Sequence, residues 1–404
     1  MSTVERRAEA RRAGEPVTVV GAGPAGLACA IALARAGRPV VVREWHNRVG
    51  GRFHGDFQGL ENWSDARDVL DELGAAGIET TFEHQAVSVG TLFDDRGQSY
   101  RVQGHRPLYY LVRRGENQGT LDWALLQQAA AAGAEIRKVD RVESVRSPAV
   151  LAAGPRRADA IAVGYVFDTH MADGDWLAVG EKLAPLGYAY LLVHGGRGTV
   201  ASCMFTGFKR QAEHVQQTVR FFRERVGLQM DNPRGFGGFA NFRVPRTAVQ
   251  GGHPVVGEQA GFQDALAGFG MRYALRSGLL AARSILEGVD YAILWQRELL
   301  PLLRTGIVNR FIFNSIGERG RRLALTKSQG RDTSLVLRRL YQPSLLSRAL
   351  YPLARFCYRG PLRDRSCNHV NCECVWCQCQ TELKASILTQ SKTSHRKHSQ
   401  QGRL

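Results

Sequence analysis

The chain has 404 residues, 44% of them hydrophobic, with 54 Lys and Arg against 37 Asp and Glu for a formal net charge of +17. That apolar content supplies packed cores for about two or three domains, which excludes a chain disordered throughout. No run reaches the ~18–20 uncharged apolar residues of a transmembrane helix, which excludes a protein that spans a membrane by such helices.

Residues 1–15 read as a flexible leader. The Arg6-Arg7 and Arg11-Arg12 pairs resemble an export signal only superficially, because the apolar stretch behind them belongs to a folded unit. A cytoplasmic protein is therefore expected. Residues 16–20 form a short apolar strand, Gly21-Ala22-Gly23-Pro24-Ala25-Gly26 a glycine turn, and Leu27, Ile31 and Leu33 with intervening alanines a slim helix. A second apolar strand, Val40-Val41-Val42, runs into Arg43-Glu44, placing an acid 18 residues beyond Gly26. A glycine turn between strand and helix, with an acid at this distance, is the dinucleotide-binding fingerprint. Gly21 permits the tight turn, Gly23 lets the backbone approach a pyrophosphate, and Gly26 lets the helix pack closely. The helix N-terminus favours the phosphates, and Glu44 can accept from ribose hydroxyls.

This domain is expected over 16–160, with a helix from Leu121 to Ala132 that stops at Gly133, and strands at 134–136 and 149–154. Residues 161–250, rich in Val and aromatics with turn glycines, read as an inserted antiparallel sheet on the substrate side, with a helix at Gln216–Val226 and a loop at Gly235–Phe239. Residues 251–290 return to the first domain. Residues 291–365 read as a basic helical region, 366–380 as a Cys-rich motif and 381–404 as a disordered tail. The fold class is α/β: a Rossmann-type domain, an inserted antiparallel-sheet domain and a C-terminal helical region.

The positive charge is concentrated late, with 19 Lys and Arg against 5 Asp and Glu from residue 301 onward. Leu299 to Leu303, Ile307, Phe311 to Phe313 and Leu345 to Leu350 set large apolar residues beside arginines, as interfacial helices do. An anionic membrane surface, met from the cytoplasmic side, is the partner this pattern suggests; no nucleic-acid partner is expected. Five of the eight cysteines fall within thirteen residues: Cys367, Cys372, Cys374, Cys377 and Cys379, with His369 among them. Such crowding in a cytosolic protein points to a zinc or iron–sulfur site more than to disulfides. The alternatives are a redox dithiol and an unligated tail.

Four stretches resemble the geranylgeranyl reductase-like branch of FAD-dependent oxidoreductases, within the para-hydroxybenzoate hydroxylase-like flavoproteins. They are Gly50-Gly51-Arg52; Arg113-Arg114 before the Leu121 helix; Lys182 to Tyr190 with Pro185, Gly187 and Tyr188; and Pro254 to Gly261 continuing through Gly268 and Gly270 to Gly278. The resemblance implies FAD as cofactor, with Gly51, Arg52, Arg113, Gly257, Glu258, Gly268 and Gly270 joining Gly21 to Gly26 and Glu44 around it. Glu258 stands where the family has Asp, one methylene longer. No second glycine fingerprint follows a strand elsewhere, so a separate NADPH domain is not expected; the electron donor is open, with NAD(P)H or a reduced carrier as candidates. The implied activity is reduction of C=C bonds in an isoprenoid or other lipophilic substrate. The alternatives are a flavin monooxygenase of a secondary metabolite and an electron-transfer flavoprotein using the cysteine cluster. Candidate proton donors are His54, Glu61 and Tyr188, with Arg52, Gln58 and Asn62 close by in sequence.

Overall fold

The computed structural model describes residues 14–142, 144–145, 148–155, 157–357, 374–375 and 377. Strand β1 (Val17–Val20) lies inside a parallel sheet, flanked by β2 (Val40–Arg43) on one side and by one strand from farther along the chain on the other. Helix α1 (Pro24–Arg35) crosses between β1 and β2; Pro24 opens it, and Ala25 to Ile31 and Leu33 are all buried. Proline at the first helical position loses no hydrogen bond, because that N–H has no partner in the helix.

Next come β3 (Phe57–Glu61), α2 (Val69–Ala75), β4 (His84–Val87), β5 (Val89–Phe93), β6 (Ser99–Gln103) and β7 (Tyr109–Arg113). The chain continues with α3 (Leu121–Ala131), capped by the Thr120 side chain, then β8 (Glu135–Arg137) and β9 (Ala149–Leu151). The parallel sheet has the order β8-β2-β1-β9, and Val255 adds a parallel bridge to Leu151. A three-stranded sheet, β3-β7-β4, stands beside it.

The large sheet uses β10 (Ala160–Asp168), β11 (Gly174–Ala178), β12 (Tyr188–His194), β13 (Arg197–Met204) and β14 (Asp231–Ala240), with α4 (Gln211–Val226) packed on one face. Its order is β14-β10-β13-β12-β11-β5-β6. Two strands thus come from residues 89–103, which the sequence reading had kept in the first domain. The Gly235–Phe239 segment is also a strand rather than a loop. Of its glycines Gly237 serves clearance, since a Cβ there would fall 2.2 Å from Cγ2 of Val375.

After the short pair β15 (Val249–Gln250) and β16 (His253–Pro254), α5 (Met271–Glu287) returns to the first domain and packs along α1. A Cβ on Gly278 would lie 2.0 Å from the Ala25 carbonyl oxygen, so the two helix backbones meet with no side chain between them. The C-terminal region is helical: α6 (Tyr291–Glu298), α7 (Leu300–Ser315), α8 (Gly317–Ser328), α9 (Thr333–Tyr341) and α10 (Leu345–Cys357). Leu299, Leu302, Leu303 and Ile307 are buried and Phe311 and Ile312 are half-buried, so this stretch is core and not the interfacial surface its pattern suggested. No helix among the described residues is long and apolar enough to cross a membrane.

Gly278→Ala tests the helix contact. Alanine is the better helix former by about 1 kcal/mol, but its methyl group forces the helices apart. Urea denaturation should show a net loss of about 2 kcal/mol or more; a gain would mean that α1 and α5 are not this close.

Candidate functional site

Backbone clearance builds the turn after β1. Gly21 has φ +107°, and a Cβ there would lie 2.3 Å from the Ala152 carbonyl oxygen; one on Gly26 would lie 2.0 Å from the Gly21 carbonyl oxygen. Gly23 differs. It is the extended N-cap of α1, it has no side-chain cap, and a Cβ on it would meet no heavy atom within 4 Å. The first-turn amides of α1 therefore have no side-chain cap, and Gly23 leaves open space beside them at the positive end of the dipole, which fits a phosphate. Glu44 folds back onto the same turn: Oε2 accepts the Ala22 N–H at 2.8 Å and Oε1 the His46 N–H at 3.0 Å. Each oxygen keeps a lone pair for a further donor, such as a ribose hydroxyl.

Two distant segments join this turn. Gly257 packs on the first turn of α1, where a Cβ would come 3.0 Å from that of Ala25, and its N–H donates to Ser277 Oγ at 2.9 Å. The next residue, Glu258, meets the Arg52 guanidinium at 3.2 Å, 206 residues away in the chain. Arg52 also lies 4.9 Å from the Phe53 ring centroid and 5.6 Å from that of Phe239. Gly51 and Arg52, Gly257 and Glu258, and the turn Gly21 to Gly26 are thus brought together. Gly268 has a positive φ of 77°, and Gly270 is the N-cap of α5, again without a side-chain cap.

The arginine pair after β7 divides between two surroundings. Arg113 donates to Glu83 at 2.8 Å and to the Gln118 carbonyl. Arg114 is buried, grips Asp122 with two bonds of 2.8 Å, donates to Gln58 at 3.2 Å and lies 3.9 Å over the Phe53 ring that Arg52 also faces. Arg114, not Arg113, therefore adjoins the Arg52–Glu258 pair. Strand alternation explains the one-residue difference, since neighbouring side chains point to opposite faces.

The proton-donor candidates have different surroundings. His54 is exposed, and its backbone N–H donates to Asp56 at 3.0 Å. Glu61 is buried and accepts the N–H groups of Trp63 and Ser64, both at 2.9 Å, and the Ser64 hydroxyl, with Arg272 at 3.8 Å. It is a brace between β3 and α5, which corrects its reading as a proton donor. Tyr188 donates to the Ala267 carbonyl at 2.6 Å. Burial raises the Tyr188 and Tyr190 phenols well above their ordinary value, so both stay neutral.

The segment 262–270 is fixed from the C-terminal helices. Asp264 is buried and accepts the N–H groups of Leu266 (2.9 Å) and Ala267 (2.8 Å) and the Tyr341 hydroxyl (2.9 Å). Arg310, 1% exposed, donates to the carbonyls of Ala265 (2.8 Å), Leu186 (2.5 Å) and Leu266, and its guanidinium lies 3.6 Å over the Phe205 ring. Neither residue was singled out from the sequence, although an arginine amid Leu302 to Phe313 was a visible signal. Between this segment and the large sheet lies an aromatic layer of Phe57, Trp63, Tyr109, Tyr190, Phe269 and Tyr341. At its edge Tyr109 donates to Asp175 at 2.7 Å, and His194 sits 2.7 Å from Asp173.

Of the cysteine cluster, Cys367, His369, Cys372 and Cys379 lie outside the described residues. Cys374 is buried against Ile161, Met204 and Phe208, with Cys377 packed beside them. Among the described residues no three His, Cys, Asp or Glu side chains converge as metal ligands.

A family model described as an NAD(P)-binding Rossmann-like domain matches residues 19–85. Among solved structures, a geranylgeranyl bacteriochlorophyll reductase-like protein from Thermoplasma acidophilum is 17% identical, with a TM-score of 0.62 over 85% of this chain and 98% of that one. The flavin-dependent brominase Bmp2 is 14% identical, with a TM-score of 0.60 over 85% and 98%. PqsL of Pseudomonas aeruginosa, a probable FAD-dependent monooxygenase, is 16% identical, with a TM-score of 0.56 over 80% and 98%. The chain shares their fold. No protein of curated function matches its sequence.

Two outcomes are expected. Gly23→Ala should change the stability of the flavin-free protein by less than ~1 kcal/mol while weakening FAD binding at least ~10-fold, read by flavin fluorescence; equal affinity would remove the phosphates from this turn. The second concerns Asp175, whose carboxyl burial pushes up to about 6, against opposing contributions from Tyr109 and His194. A raised carboxyl pKa costs nothing where both states are protonated; the cost grows as pH rises from the unfolded value of 3.8 to the folded value of about 6 and is constant above it. Asp175→Asn should therefore be close to neutral near pH 4 and stabilising by about 1 kcal/mol near neutral pH, after allowing for partial solvent screening. Destabilisation at neutral pH in urea titrations would contradict this.

Proposed function

We propose that the protein is an FAD-dependent oxidoreductase that reduces C=C bonds of an isoprenoid or other lipophilic substrate. The observation that carries this reading is the meeting of Gly21 to Gly26, Arg52 and Glu258 at the uncapped N-terminus of α1, with an aromatic layer beyond it. Bound FAD supplies hydride or electron transfer at its own ring. The chain supplies the rest. The α1 amides bind the pyrophosphate, Glu44 takes ribose hydroxyls, and Arg52, held by Glu258, is positioned for a polar group of the cofactor. Trp63, Tyr109, Tyr190, Phe269 and Tyr341 pack as an apolar layer that excludes water beside the site. Tyr188 keeps its proton on Oη, directed at the Ala267 carbonyl.

Likeness to the Thermoplasma reductase-like protein supports the reductase. The likeness to PqsL supports a second reading, in which the substrate is hydroxylated instead. Electrons would come from NAD(P)H or a reduced carrier protein. The test is to incubate the purified protein with dithionite-reduced FAD and a panel of prenyl lipids and to weigh the products. A gain of two hydrogens per bond is the expected result. In a parallel incubation with NADPH-reduced or photoreduced flavin exposed to oxygen, free of dithionite, a product heavier by one oxygen with rapid substrate-stimulated oxygen uptake identifies the monooxygenase, and failure to bind flavin ends both readings.

A further inference from the structure

Helix α10 is apolar on both sides. Its protein side packs Leu350 and Tyr351 on the core, with Ser347 and Ala354 buried against α7 and the Thr305 and Ser347 hydroxyls 3.4 Å apart. Tyr351 is half-buried beneath the Arg304 guanidinium, 5.1 Å from its ring. The solvent side carries large leucines: Leu345 is 83% exposed, Leu346 64% and Leu353 53%. At 3.6 residues per turn these three and Ala349 share one continuous face, with Arg348 and Arg355 together along one border. Exposed apolar faces of this kind mark interaction sites.

The surrounding charge indicates what meets it. Residues 316–357 hold nine Lys and Arg against Glu318 and Asp332. Both acids are already engaged, Glu318 by the Glu181 N–H and Asp332 by His105 and Ser334. Arg348 and Arg355, which border the face, make no side-chain hydrogen bond or ion pair among the described residues. We propose that the outward face of α10 docks on an anionic phospholipid bilayer, with Leu345, Leu346 and Leu353 entering the acyl boundary and these arginines meeting the headgroups. A second copy of the chain is the poorer occupant, because a two-fold contact across this face sets both arginine clusters against each other. The proposal goes beyond the reaction proposed above and stands whichever substrate is turned over.

Flotation of the full-length protein with vesicles tests it. Wild type should float with phosphatidylcholine–phosphatidylglycerol vesicles and at least ~10-fold less with pure phosphatidylcholine, the difference shrinking as salt rises. Leu346→Ser with Leu353→Ser should abolish flotation. Arg348→Gln with Arg355→Gln should reduce binding on the anionic vesicles to the phosphatidylcholine level. Both pairs are on the surface, and unchanged thermal melting checks that they fold. Three results overturn the proposal: wild type that does not float, a leucine double variant that floats like wild type, or a dimer in gel filtration that this variant dissolves while wild type ignores vesicles. Flotation only after removal of residues 358–404 also overturns it, assigning the face to the chain's own tail.

Discussion

Ala25 sits where three backbones converge, and the molecule is organised around that meeting. Gly278 of α5 closes on its carbonyl oxygen, Gly257 packs on its methyl group, and its neighbour Gly26 closes on Gly21. Because no side chain intervenes, the two ends of a domain interrupted by a large sheet are held in one register. The N-terminus of α1 is left without a side-chain cap, and Glu258 is carried to Arg52. A methyl group added at Gly26 or Gly278 would move not only a helix but the relation between the nucleotide turn and the later motif.

A second set of contacts ties this centre to the C-terminal helices. Arg310 of α7 and Tyr341 of α9 fix the 264–267 segment, and Tyr188 of the large sheet reaches the same segment from the other side. A buried cation on carbonyls is tolerable when its hydrogen bonds are made and a carboxylate lies near, as Asp264 does. The helical region is thereby part of the site's wall, while α10 at its outer edge turns an apolar face away from the protein.

Local patterns were legible in the sequence, and long-range ones were not. The strand, glycine turn, helix and acid from Val17 to Glu44 are a contiguous solution to one steric problem, so residue types alone revealed them. The meeting of Arg52 with Glu258 was legible only as two motifs. Leu299 to Phe313 shows the limit of pattern: leucines beside arginines fit an interfacial helix and a core helix equally, and burial by α5, α9 and α10 decided it. Gly235 to Gly238 read as a loop because glycine usually marks one, whereas here a paired edge strand needs clearance for Val375 at Gly237. Arg113 and Arg114 differ by a single step along a strand, which composition cannot resolve.

The central claim is that three segments far apart in sequence form one FAD site. Hydrogen exchange of the intact protein with and without FAD tests it most directly. The account predicts simultaneous slowing over residues 21–27, 50–53 and 257–272 on addition of FAD. Protection confined to residues 21–27 would contradict it, leaving a nucleotide turn to which Arg52 and Glu258 do not contribute.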